Sequence, residues 1–451
     1  VKSQIGKKKV RIIHAWGSPS SGETGIYLEI CKEHGIEFRD FTTAKQLANN
    51  KANNPDIAFD YVCWEALKKI QNFNKYYDAI LIDEAQDFSK HFLQLCYQII
   101  KSSKKLIYAY DELQSLNNKV MDSPENIFGK DAQGRSYVQL ENLPNQPKQD
   151  IILEKCYRNS RPILSSAHAL GFGIYHNQGL IQMFDHSGLW EDIGYKVKDG
   201  QLEDGNFVRL TRTNETSPDF LETHSTIEDI VVFKSFNNKQ EQFVWLAEQI
   251  EKNIKEDELK HNDIIVIHTN PLLTRSAVGE AREILFRKGI NSHLAGVTTS
   301  RDIFFIDEES ITFTSINRAK GNEAAMIYVI DAHECFSGSE LARKRNILFT
   351  AMTRSKAWLR VIGYGEQMRG LEEEYLKVKQ QDFCLEFEYP TEQERMMMNR
   401  VNRDMSEQER KRLTKQQQNA RSLTEGLIKG EIKKDDLSPE ILEQLKKQLF
   451  E

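Results

Sequence analysis

The chain has 451 residues, which allows about three domains, with 39% hydrophobic and 28% charged residues and a formal charge of −6. That balance describes a polar globular protein with no global attraction to nucleic acid, so any such binding must use local basic surface. No apolar run approaches the roughly 20 residues of a membrane helix, no secretory leader is visible, and six scattered cysteines without a Cys-x-x-Cys pair argue against zinc and suit reduced thiols in a cytoplasm.

Val10–Ile13 reads as a short strand followed by the loop His14–Pro19. Tyr27–His34 reads as a helix closed by Gly35, a residue that tolerates the left-handed cap. Asp60–Gln71 has Val62, Leu67 and Ile70 on one helical face. Ile80, Leu81 and Ile82 form a continuous apolar run, the pattern of a parallel strand buried on both faces. A helix at about Lys90–Ile100 and a second buried strand at Leu106–Tyr110 complete a strand–helix–strand rhythm, which predicts a doubly wound α/β domain over residues 1–116.

Residues 117–150 are rich in Asn, Pro, Gly and Gln and read as an insertion or connecting arm. A buried strand is expected at Ile151–Leu153, and the shorter, β-like pattern at about 171–225 reads as a small elaboration. A second α/β unit then follows over residues 151–370. Its helices are Gln242–Asn253, Ala277–Lys288 and one containing Arg343–Trp358; its strands are Ile264–His268, Ile311–Thr314, Met326–Ile330 and Leu359–Gly363. Two such sheets imply two lobes with a cleft between them. Residues 371–451 read as a charged helical tail, with capping boxes at Thr391–Glu394 and Ser406–Glu409 and a proline helix start at Ser438-Pro439. The tail is a candidate surface for a protein partner.

Asp83 and Glu84 follow the Ile80–Ile82 strand, at the carboxyl end where open α/β sheets bind ligands. The pair suits a magnesium-nucleotide site, one carboxylate for the metal and one for an attacking water; a solvated turn is the plain alternative. Gln114, in the loop after the neighbouring strand, has the reach to sense a γ-phosphate or its water. Arg158 stands at the entrance to the second lobe and Arg354 after an apolar stretch; arginines on a transferring phosphoryl group are worth about 10³–10⁵ in rate. Singly, each also fits a surface ion pair. Ser315–Glu323 packs a hydroxyl, Arg318, Lys320 and the Gly321 turn at a strand end, a set able to hold a nucleic-acid phosphate, with Glu323 placed for a ribose hydroxyl. His14 and Trp16 follow a strand end where an aromatic would stack a base; core packing of the Trp is the alternative. His333-Glu334-Cys335 reads as structural, because adjacent residues seldom converge on one metal.

Read in order, these segments resemble the motif series of superfamily 1 helicases of the UvrD/Rep type, over roughly residues 10–365. Ile13-His14-Ala15 resembles motif Ib, Asp83-Glu84-Ala85-Gln86-Asp87 the Walker B motif, and Asp111–Ser115 motif III. Tyr157-Arg158 resembles motif IV, Thr314–Glu323 motif V with its Ala319-Lys320-Gly321, and Thr353-Arg354 motif VI. The resemblance implies two RecA-like lobes, the first incomplete, with ATP and Mg2+ between them. It implies Asp83 on magnesium, Glu84 as catalytic base, Gln114 as γ-phosphate sensor, Arg158 and Arg354 as arginine fingers, and Glu323 on the ribose. The substrate implied is single-stranded or partly duplex DNA, RNA staying open, with 3′-to-5′ movement and a place in repair or in defence against foreign DNA.

The departures are specific. No P-loop precedes the motif Ib segment in a chain that begins at Val1, which reads as a fragment expected to be inactive alone. Gly17–Thr24 has the Gly-x4-Gly spacing, but Glu23 stands where the phosphate-binding lysine belongs. The aromatic that follows motif III is replaced by Leu116-Asn117-Asn118, Asn317 replaces a histidine, and Leu294–Ile311 leaves no room for a large insertion. Two alternatives therefore accompany the helicase reading: a non-catalytic scaffold that binds nucleic acid or a partner, and an ATPase whose P-loop comes from another chain.

Overall fold

The computed structural model describes residues 10–19, 22, 24–48, 55–116, 121–140, 142–143, 145–297 and 309–401. Two parallel strands, β1 (Tyr77–Ile82) and β2 (Ile100–Tyr108), form the sheet of the first lobe. The helices Ile26–His34, Pro55–Lys69 and Lys90–Ile99 bring Ile30, Cys31, Val62, Cys63, Phe92, Leu93 and Cys96 into a core with Ile80 and Ile82. Only one face of this sheet is buried. Leu81 is 75% exposed and Ile107 58%, against the expectation of burial on both faces. The apolar run is real, but among the described residues no layer covers its second face.

The second lobe begins with β3 (Gln182–Phe184), β4 (Tyr195–Gly200) and β5 (Phe207–Arg212). Its main sheet holds β6 (Val231–Phe236), β7 (Ile264–His268), β8 (Ser292–Leu294), β9 (Ile311–Ser315), β10 (Ala324–Ile330) and β11 (Ser355–Tyr364). All six are parallel, in the order β6-β11-β10-β7-β9-β8. Side chains alternate between two cores, as the strand period requires. Ile264, Val266, Met326, Tyr328 and Ile330 meet the helices Lys239–Lys255 and Gly279–Arg287. Ile265, Ile267, Ile327 and Val329 face the helices Arg161–Phe172, Leu341–Met352 and Gly365–Gln380. This is a doubly wound α/β lobe. The elaboration is a three-stranded antiparallel sheet in which β12 (Leu385–Glu388) pairs with β5 and β5 with β4, while β13 (Asn399–Val401) pairs with β3.

Several sequence expectations change. Val10–Ile13 and Ile151–Leu153 form no strand: each apolar run lacks a ladder partner among the described residues, and Val10, Ile12, Ile151 and Leu153 are exposed. The helix through Arg343 stops at Met352, because Ser355 already begins β11. The expected boundary at 370 falls inside the helix Gly365–Gln380, and β12 adds a strand beyond it, so residues 371–401 pack with the second lobe. The Thr391–Glu394 capping box forms; Ser406 and Ser438 lie outside the described residues. Both lobes belong to one compact unit, and Asp122–Ile151 falls in another. In that segment Pro124–Phe128 is a short helix, and Asp131 ties a turn by accepting from the amides of Gln133 and Arg135, both at 2.9 Å. No helix among the described residues is long and apolar enough to cross a membrane.

Candidate active site

Backbone pairing at the ends of β1 and β2 sets the first group of side chains. The Ala109 amide donates to Ile82 and the Ala85 amide to Ala109, at 2.9 and 2.8 Å, so Asp83 and Glu84 turn out at the carboxyl end of the sheet. Glu84 holds a left-handed conformation, φ 53°, which a side chain rarely adopts without a local reason. Its Oε2 accepts from Gln86 Nε2 at 2.6 Å, and the Asp83 Oδ1 accepts the Glu84 amide at 3.0 Å. Gln86 is buried, and its own Oε1 takes the Asp111 amide at 3.2 Å, tying the two strand ends together. Asp331, at the end of β10, repeats the left-handed turn at φ 54°. There the carboxylate is buried and clasped by Gln242 (2.8 Å) and His268 (3.1 Å). The same backbone device is a closed polar clasp in the second lobe and an open carboxylate in the first, where the Glu84 side chain is 30% exposed.

Gln114 donates from Nε2 to Asp111 at 2.7 Å and accepts at Oε1 from the guanidinium of Arg354. Burial pushes the Asp111 carboxyl up, although Gln114 and the Leu113 amide both donate to it. Arg354 reaches this contact from the second lobe. It follows the helix Leu341–Met352, donates from Nε to the Thr350 carbonyl at 3.1 Å, and is 3% exposed. Burial, with Arg158 adding to it, pulls its guanidinium below the ordinary value, while Glu84, Asp111 and Glu323 oppose the shift. A cation so enclosed is strongly felt by any charge placed beside it.

Arg158 lies beside Arg354 and pairs through Nε with Glu323 Oε2 at 2.6 Å; Lys356 takes the other oxygen at 3.0 Å. Burial works against the charge on Glu323, but Lys356 and Arg158 outweigh it and hold the carboxyl below its usual range. Asn159 is buried and donates to the carbonyls of Ser355 (2.7 Å) and Thr353 (3.4 Å), on either side of Arg354. The Lys320 side chain is nearly covered too. Its ammonium lies 2.8 Å from both Asp87 oxygens and 3.3 Å from Glu84 Oε2.

The structure therefore brings Glu84, Gln114, Arg158, Arg354, Glu323 and Lys320 to one junction, with Asp83 beside Glu84. Five expected site residues lie elsewhere or make other contacts. Trp16 donates its indole N–H to Arg39 (2.9 Å) and stacks on Phe59 at 5.0 Å, with Tyr27 and Phe41 at its edges, so it packs an aromatic cluster rather than presenting a base platform. His14 is exposed, and its backbone bridges to Gly25. Ser315 stands at the start of the short turn Ile316–Ala319 without a capping bond from its side chain, and Arg318 is exposed against Gly296. Gly321, at φ 79°, supplies the left-handed turn that follows Lys320.

Gly17–Thr24 is not a phosphate cradle. The amides of Ile26, Tyr27 and Leu28 already donate to the carbonyls of His14, Ala15 and Trp16 at 2.9–3.1 Å. A Cβ on Gly25 would stand 2.2 Å from the Gly17 nitrogen, so these glycines serve close backbone approach. Sequence reading gave no individual role to Gln86, Asp87 and Asp111, which it quoted only within motif segments, and did not single out Asn159 and Lys356. Each sits within three residues of a group that was found, and adjacency was the available signal. The packing of Leu113 and Leu116 into the second lobe's core, with Arg343 donating to the Leu116 carbonyl at 2.7 Å, had no such signal.

Residues 310–362 match the family described as the UvrD-like helicase C-terminal domain. No curated protein sequence matches the chain. Among solved structures, one similar chain is the C-terminal domain of a possible DNA helicase from Lactobacillus plantarum WCFS1, at 17% identity and a TM-score of 0.23, covering 33% of this chain and 81% of that one. Another is the arterivirus nonstructural protein 10 helicase in complex with DNA, at 14% identity and a TM-score of 0.20, covering 38% of this chain and 40% of that one. The matched residues run from β9 through Gly321, Glu323, β10 and Arg354 into β11, so this stretch of the second lobe is similar to the C-terminal domain of UvrD-like helicases.

Proposed function

We propose that this chain is the motor of a superfamily 1 translocase or helicase that hydrolyses ATP between its lobes to move along single-stranded DNA, with RNA as the alternative strand. The observation that carries the reading is the meeting of Glu84 and Gln114 from the first lobe with Arg158, Arg354 and Glu323 from the second. Gln114 and Arg354 touch across the junction, so movement of one lobe against the other changes the site directly, the expected logic of a cleft-closing enzyme.

The donor set fits a magnesium-nucleotide complex. Among the described residues no three His, Cys, Asp or Glu side chains gather to hold a metal; magnesium characteristically takes one or two carboxylates and completes its shell with water and substrate phosphates. Asp83 would be its carboxylate, and the bound ion would neutralise charge on the phosphates. Glu84 would take a proton from the attacking water, with Gln86 fixing its carboxylate. Gln114 would orient that water against the terminal phosphate. Arg158 and Arg354 would meet the charge developing on the transferred group. Because the amides at the start of the helix Ile26–His34 are already used, the phosphate grip in this reading comes from a loop other than Gly17–Thr24.

The test is single-strand-stimulated ATPase activity of the full-length protein. Glu84→Gln should abolish turnover while ATP binding survives. A full-length protein that binds strand but never hydrolyses ATP would leave the scaffold reading standing. Loss of nucleotide binding in Glu84→Gln would refute the role given to Glu84.

A further inference from the structure

The loop after β9 carries two cations that part company. Arg318 is exposed against Gly296, while Lys320 follows the Ile316–Ala319 turn and enters the first lobe. Asn322 closes the turn behind it, donating to the Arg318 carbonyl at 3.2 Å, and Gly321 supplies the reversal. The Lys320 side chain is 7% exposed, and its ammonium contacts both oxygens of Asp87 and one of Glu84, a carboxylate partner for each N–H. Nothing about that position suits a cation waiting for a strand phosphate.

We infer that Lys320 is a positioning residue: it reaches across the lobe junction to hold Glu84 and Asp87 in place, so that lobe closure, and not strand contact by Lys320, orients the carboxylate that takes the proton. The inference rests on the ATPase reading for its catalytic consequence, but the latch itself is a statement about how the lobes are tied. Glu84 Oε2 is held from two sides, by Gln86 within its own lobe and by Lys320 from the other. When the lobes separate, Lys320 leaves and Gln86 alone remains, which frees the carboxylate to rotate. Asp87 gives the cation its anchor. Burial pushes the Asp87 carboxyl up and Lys320 counters it. The strand-facing charge of this loop is left to Arg318.

The experiment compares the full-length wild type with Lys320→Met, Lys320→Arg, Asp87→Asn and the Lys320→Met/Asp87→Asn pair. Lys320→Met should lower kcat of the strand-stimulated ATPase by about a hundredfold, the usual consequence of misplacing a catalytic group by about 1 Å. Affinity for a fluorescent single-stranded oligonucleotide should stay within about twofold, since the strand does not meet this side chain. Lys320→Arg should recover most of the rate, and the double variant should be no worse than the poorer single, because both break one link. Weakened strand binding with kcat intact would overturn the inference and return Lys320 to a phosphate. An activity-independent arm places cysteine-linked dyes at Gln46→Cys and Glu280→Cys, one in each lobe. Without nucleotide, Lys320→Met should broaden the inter-lobe distance distribution, and an unchanged distribution would overturn the latch even in a protein that hydrolyses nothing. A broadened distribution in a protein without ATPase activity would uphold the latch and refute the enzyme reading.

Discussion

Replacing Glu374 by glutamine should destabilise the second lobe more than any surface charge change, although it removes one charge and keeps the shape. Arg345 and Glu374 are 0% and 3% exposed and meet as a bidentate pair at 2.7 and 2.9 Å, joining the helices Leu341–Met352 and Gly365–Gln380. Among the described residues the guanidinium's other hydrogen-bond partners are the carbonyls of Leu170 (3.2 Å) and Phe336 (3.4 Å). With the carboxylate gone, a buried cation is left on neutral dipoles, and breaking such a pair from one side costs about 3–5 kcal/mol. Removing both charges, as in Arg345→Met/Glu374→Leu, should cost less than the sum of the two single changes, since apolar replacement of a buried pair leaves no uncompensated charge behind. Urea unfolding of the two singles and the double, followed by fluorescence of the buried Trp190 in the same core, gives the coupling energy directly. Additive losses would refute the reasoning. The pair also bears on function, because the helix it bolts down leads into Arg354 two residues beyond its end and sends Asn346 to the Ser115 carbonyl at 3.3 Å.

Other consequences are equally open to measurement. Arg354→Ala should cut ATP hydrolysis by about 10³-fold or more with little change in strand affinity, and equal loss of both would place the arginine on the strand. His168, buried against Tyr195 at 2.9 Å, has its imidazole held down to about 3 by burial first and Arg212 second. As pH falls below about 6.5, the unfolded chain takes up a proton that the folded imidazole refuses, so stability should fall by about 1.4 kcal/mol per pH unit toward pH 3. His168→Gln should flatten that slope in urea titrations at pH 7 and pH 5, and an unchanged slope would assign the loss to other groups.

Much of the site was legible because its groups belong to short segments whose residues are adjacent. Asp83 and Glu84 could be placed at a strand end from three apolar residues, and Glu323, Arg158 and Arg354 from similar local patterns; all lie at or beside the lobe junction. Lys320 and Trp16 have partners that the sequence reading did not assign them, for one reason. A cation in a polar loop suits a strand phosphate and an aromatic after a strand suits a base, until the tertiary fold supplies a nearer partner: Asp87 for Lys320 and Phe59 for Trp16. The Gly17–Thr24 segment shows the converse. Its spacing imitates a phosphate loop, Glu23 argues against it, and the occupied amides of the following helix give the structural reason.

By itself the sequence determined the strands and helices of the second lobe's main sheet, since the continuous apolar runs of β7 and β10 have no stable solution except burial between two helical layers. It also determined which residue types stand at the strand ends. Tertiary structure alone decided which of them meet. Gln114 reaches Arg354, 240 positions away, and Lys320 reaches Asp87, 233 positions away. No local pattern encodes contacts of that separation; they depend on how two lobes close. It also decided that, among the described residues, one face of β1 and β2 is uncovered, because an apolar run records the capacity to be covered and not the presence of a cover.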